Sequence, residues 1–139
     1  MMEGMTTKLE TKLEIAEWDE KPYRELDDGR KFTRANVLLK GSADGLNVEA
    51  TWEALMYYRA DGTGTYVGIM NVTGTLDGLT GSFVLTGSGT YDGTTARIES
   101  TVVPGSGTDQ LSGITGTSES VSTHDDYPHW PLILTYDVE

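Results

Sequence analysis

Gly74-Thr75-Leu76-Asp77-Gly78 and Gly89-Thr90-Tyr91-Asp92-Gly93 repeat one pattern within 15 residues, each ending on Asp-Gly. The same dipeptide stands at Asp28-Gly29, Asp44-Gly45 and Asp61-Gly62, so successive markers fall 15 to 17 residues apart. Asp-Gly is a strong hairpin signal, because a type I′ turn needs positive φ at both central residues and Gly and Asp tolerate it. Two further turn clusters, Pro104 to Asp109 and His124 to Pro128, bring the markers to seven and the segments to eight. Those segments are rich in Val, Ile, Thr, Tyr and Leu, and none carries a sustained 3.6-residue apolar period. The echo between residues 74–78 and 89–93 is turn chemistry reused, not a solenoid repeat.

Eight sequential antiparallel strands leave two open edges unless the sheet closes on itself. The expected fold is therefore all-β: a closed antiparallel up-and-down barrel of about eight strands joined by Asp-Gly hairpins, with a two-sheet sandwich as the alternative. Thirteen glycines between Gly62 and Gly116 suit the sharp bends of barrel strands. A barrel of this size is either filled by side chains or holds one small ligand.

The length of 139 residues suits a single domain spanning 1–139, with 1–7 expected as a flexible N-terminus. The chain has no Cys, which removes disulfides, thiolate metal sites and a cysteine nucleophile. A net charge of −12, with Arg97 the only Lys or Arg after Arg59, argues against nucleic acid and acidic membranes as partners. The N-terminus shows no apolar leader and no segment has the length of a membrane span, so a cytoplasmic location is expected.

Alternation assigns faces. Leu9, Leu13 and Ile15 alternate with charged residues in the first strand, and Leu132, Leu134, Tyr136 and Val138 share one side of the last. A turn centred on Asp44-Gly45 gives one face of Ala35, Val37, Leu39, Val48, Ala50, Trp52, Ala54 and Met56. The other holds Phe32, Arg34, Asn36, Leu38, Thr51, Glu53, Leu55 and Tyr57. That hairpin alone buries the Trp52 face. Carried through two-residue turns at 61–62, 77–78 and 92–93, however, the Arg34 face continues into Tyr66, Met70, Val72, Phe83, Leu85, Ile98 and Val102. The Trp52 face then continues into polar Ser82, Thr86, Arg97, Glu99 and Thr101. Either the interior holds Arg34, Asn36 and Glu53, or one loop is longer than two residues, with Gly-rich 60–64 the place for it.

If Arg34 and Glu53 are inside, they should pair across the strands, since an isolated buried charge is costly. Val37, Leu39, Trp52 and Met56 would then form an outward apolar strip suited to a homo-oligomer interface. On the outside, Arg34 and Glu53 would be an ordinary surface pair. Trp18 and Trp130, near the chain ends, are placed at the barrel mouths.

Other constellations read more simply. His124, Asp125, Asp126 and His129 lack a ligand spacing and read as a solvated turn, so neither metal nor cofactor is expected. Pro104-Gly105-Ser106-Gly107-Thr108 lacks the Lys of a phosphate loop and reads as a turn. Ser106 and Ser112 have no signature tying them to a His–Asp pair.

Leu55-Met56-Tyr57-Tyr58-Arg59-Ala60-Asp61-Gly62, Gly74-Thr75-Leu76, Gly81-Ser82-Phe83-Val84-Leu85, Tyr91-Asp92-Gly93 and Val102-Val103-Pro104-Gly105-Ser106-Gly107-Thr108 together resemble a family of small bacterial proteins catalogued as a domain of unknown function. The resemblance runs from about Trp18 to Val138. That family is similar in fold to allene oxide cyclase, an eight-stranded barrel with an apolar cavity. The resemblance implies a barrel of the kind that includes cofactor-free isomerases and cyclases. It makes Glu53, with Asn36 or Asn71, the analogue of the cyclase's cavity Glu and Asn; the cyclase's cavity Cys has no counterpart.

Three functions follow as expectations. The first is binding of a small, largely apolar ligand, with Arg34, Asn36, Glu53 and Tyr57 orienting a polar end and Leu55, Tyr66, Met70 and Phe83 lining the remainder. The second is a cofactor-free isomerase or cyclase in which Glu53 is the best catalytic candidate. The third is a filled barrel acting through self-association on the Trp52 strip.

Overall fold

A computed structural model describes residues 6–43 and 46–138. Eight strands run in chain order around a closed barrel, each antiparallel to its neighbours. They are β1 (Thr7–Glu25), β2 (Lys31–Ala43), β3 (Leu46–Tyr58), β4 (Gly64–Leu76), β5 (Leu79–Tyr91), β6 (Thr95–Val102), β7 (Thr115–Thr123) and β8 (His129–Asp137). The all-β up-and-down barrel is the architecture that the turn spacing implies. Most of the expected flexible N-terminus lies outside the described residues, although Thr7 already pairs with Tyr136. Among the described residues no helix is long and apolar enough to cross a membrane.

The Asp-Gly turns are not alike, and the difference decides the inside. Leu76 pairs with Leu79 around Asp77-Gly78, whose φ values of 48° and 83° are those of a two-residue type I′ turn. Tyr58, by contrast, pairs with Gly64 across the five residues Arg59–Thr63, where Gly62 has φ +89° and the Asp61 carboxylate accepts the Thr63 amide. An odd loop shifts the alternation by one residue. The β5–β6 loop spans four residues, since Tyr91 pairs with Ala96, and leaves the alternation unchanged. Asp44-Gly45 itself lies outside the described residues, but Ala43 pairs with Leu46, the register of a two-residue turn.

The interior therefore takes the Trp52 face of β2 and β3 together with Tyr66, Met70, Val72, Phe83, Leu85 and Val102. Two sequence expectations are corrected by this. Arg34, Asn36, Glu53 and Leu55 lie on the exposed outer face, because the five-residue loop breaks the parity that would have carried them inward. Val37, Leu39, Trp52 and Met56 are core residues, each no more than 5% exposed, and so cannot form an outward strip. The apolar side chains that the outer face of β2–β4 does expose are Leu38, Leu55, Val67 and Ile69.

A second parity change occurs within β1. Ile15 pairs with Leu39 and Trp18 with Val37, the register shifting around Ala16. A bulge adds one residue to a strand and turns everything beyond it to the opposite face. Trp18 and Glu20 consequently lie against the inward positions Val37 and Ala35.

The two ends of the barrel differ. Beyond β6 the chain folds over one end, burying Leu111 and Ile114. β6 pairs with β5 only from Leu85 to Tyr91. Alongside the rest of β5, Ser106 Oγ accepts from the Val84 amide, Thr108 Oγ1 from the Ser82 amide and the Gln110 side chain from the Thr80 amide. These contacts satisfy backbone donors where no neighbouring strand is available. At the other end the loops 26–30, 59–63, 92–94 and 124–128 surround an open mouth.

Candidate functional site

Small residues at inward positions help to shape the open half of the barrel: Ala96 and Ser120 line its cavity, and Gly68 leaves room for Trp52. At Gly68 the reason is direct: a Cβ there would meet the Trp52 indole at 2.6 Å and the Glu53 carbonyl oxygen at 2.7 Å. Trp52 leans into that gap and meets Trp130 edge to face, their ring centroids 5.9 Å apart at 65°. Both indoles are buried and form the floor of the opening.

Above them lies a cavity of about 560 Å³. Its wall is mostly aromatic, with Trp18, Tyr58, Tyr66, Tyr91 and Tyr127 joining the two floor indoles, and Ile15, Met56 and Ile98 adding aliphatic surface. Ser120, Ser122, Thr123, His124 and His129 bring polar groups from one side. On that side the β7–β8 ladder runs only from Thr115–Asp137 to Glu119–Ile133. The cavity thus extends between the unpaired ends of the two strands.

Hydrogen bonds fix the ring positions. Tyr66 Oη donates to the Thr90 carbonyl at 3.0 Å. Tyr91 Oη donates to the Gly93 carbonyl and lies 2.8 Å from His124 Nε2. Since the phenol has one proton, His124 is the donor in the second contact. Burial pushes the Tyr66 phenol up to about 12.

Glu20 is the carboxylate on this side of the wall. Its Oε2 accepts Tyr58 Oη and Thr33 Oγ1, both at 2.8 Å, and its Oε1 accepts Trp18 Nε1 at 3.1 Å. Burial, and then the hydrogen bond to Glu20, raises the Tyr58 phenol well above the usual tyrosine range. This network ties β1, β2 and β3 together at the mouth and sets one negative charge behind an aromatic wall.

Of the residues picked from sequence, Tyr66 lines the cavity. Met70 and Phe83 are inside the barrel but belong to the packed core. Tyr57 is half-buried on the outer side, its ring 5.0 Å from Phe32. Arg34 and Glu53 do not meet: the ion pairs among the described residues are Lys8–Glu10, Lys21–Asp19 and Arg30–Asp28. Glu53 is thus in no position to steer charge within the interior, and Asn36, its cross-strand partner, is outside with it. His124, Asp125 and Asp126 form a short 3-10 turn, and no three metal-binding side chains converge among the described residues. Trp18 and Trp130 stand at the mouth, as their places in the chain suggest, but both at the same one. Glu20 was missed because simple alternation from Leu13 and Ile15 turns it outward; a bulge leaves little local signal.

A protein of the DUF3224 family from Shewanella oneidensis MR-1, solved by crystallography and titled as of unknown function, is similar in structure. It shares 27% identity over 97% of this chain and 99% of its own, with a TM-score of 0.77. No curated protein matches the chain. The family model described as "Protein of unknown function (DUF3224)" matches residues 9–131, and the chain belongs to that family.

Proposed function

We propose that the protein binds a small, largely apolar molecule in the mouth cavity above Trp52 and Trp130. The observation that carries this is the cavity itself, about 560 Å³, aromatic on most sides and open at one end. That volume lies within the roughly 300–1,000 Å³ of small-molecule sites, which are likewise mostly apolar with a few placed polar groups. A barrel meant only to be filled would have larger side chains at Ala96 and Ser120, which line the cavity. Tyr58, Ser122 and His124 supply the polar contacts that orient a bound molecule.

The test is titration with the neutral fluorescent probe N-phenyl-1-naphthylamine. Saturable one-to-one binding is expected, lost in Ala96→Trp, which fills the cavity from β6. Unchanged binding by a folded Ala96→Trp protein would remove the cavity as the site.

A further inference from the structure

We propose that the mouth cavity selects organic cations, taking an apolar molecule that ends in a substituted ammonium group. The proposal rests on the binding function above and adds the ligand's charge. Aromatic faces carry negative potential and attract cations, most strongly where water is excluded. Trp18, Trp52, Tyr58, Tyr66, Tyr91 and Trp130 surround one space here. No Lys or Arg is among the residues that line it.

The charges around the cavity favour the same sign. Glu20 lies one hydrogen bond behind Tyr58 and Trp18. A phenol donating to a carboxylate has its own oxygen and ring made more electron-rich. The four loops of the mouth contain six aspartates, at 27, 28, 61, 92, 125 and 126, against Arg30 and Arg59, with Lys31 directly after the first loop. Arg30 is already engaged with Asp28 at 2.7 Å. With the chain at −12 overall, the field at the entrance draws cations in. The wall also meets an ammonium already: Lys31 Nζ stands 5.3 Å from the Tyr58 ring centroid.

The experiment compares two molecules of one shape. 3-(Trimethylammonio)phenol and 3-tert-butylphenol differ in charge at a single atom. Their binding is followed through the fluorescence of Trp18, Trp52 and Trp130, the chain's three tryptophans, all of which line the cavity. The cation is expected to bind about tenfold tighter, in the range a desolvated cation–π site provides. Glu20→Gln should narrow that preference about threefold, read as the ratio of the two affinities in the same variant. Equal or tighter binding of the neutral phenol overturns the cation proposal and leaves the apolar-cavity function standing. Binding of neither compound, together with no binding of N-phenyl-1-naphthylamine, defeats both. The wild-type comparison decides the matter even if Glu20→Gln does not fold.

Discussion

Trp52 and Trp130 meet edge to face at the boundary between a packed half-barrel and an open one. Trp52 is 1% exposed and is held by the absence of a side chain at Gly68. Trp52→Ala should cost about 3–5 kcal/mol, the range for removing a large buried aromatic side chain. Urea denaturation checks it. A cost below about 1 kcal/mol would mean that Trp52 is not part of the packed boundary.

Gly68→Ala tests the same contact from the other strand. The added Cβ would lie 2.6 Å from the indole and 2.7 Å from a backbone oxygen, so a shift is unavoidable. Overpacking of this kind costs about 1–3 kcal/mol. Part of the cost should disappear in the Trp52→Phe background, because residues in direct contact are not additive. Equal costs in both backgrounds would assign the strain to the Glu53 carbonyl oxygen alone.

Arg34→Ala and Glu53→Gln should change stability by less than about 0.5 kcal/mol, as exposed substitutions without a defined partner do. Neither should alter binding of the fluorescent probe. Loss of binding in a folded Glu53→Gln protein would place the site on the outer face instead.

Two buried phenols make stability depend on alkaline pH. Tyr66 is pushed up to about 12 by burial, and Tyr136 to about 12 by burial and its hydrogen bond to Asp77. The unfolded chain releases these protons near 10, so above that pH the folded state holds more protons than the unfolded one. The contribution is fully present below pH 10 and is lost as pH rises from 10 to about 12. Urea midpoints measured between pH 9 and 12 should fall across this window, and less steeply in Tyr66→Phe. A flat profile would contradict the burial assigned to these rings.

The barrel was legible because turn chemistry is local: Asp-Gly marks five chain reversals whatever lies between them. The interior was legible one hairpin at a time, and Ala35 through Met56 were correctly grouped by alternation around residues 44–45. Carrying that alternation onward failed at Tyr58–Gly64, because Asp-Gly serves five-residue loops as well as two-residue turns. In the longer loop the Asp carboxylate caps amides, as Asp61 does for Thr63, and only the Gly takes positive φ. The composition is nearly the same, yet the parity is opposite. The bulge at Ala16 hid Glu20 for a related reason, since one extra residue is sufficient to exchange faces and needs no distinctive side chain. Small residues at Ala96 and Ser120 are a sign of open space only once they are known to face inward.

The most direct measurement is a ¹⁵N-resolved NMR titration with 3-(trimethylammonio)phenol, read at the indole N–H signals. The chain has three tryptophans, and all three line the mouth cavity. All three indole signals should shift along one saturation curve while the backbone amides of Arg34 and Glu53 stay fixed. Fixed indole signals, with shifts confined to outer-face amides, would contradict a ligand site inside this barrel.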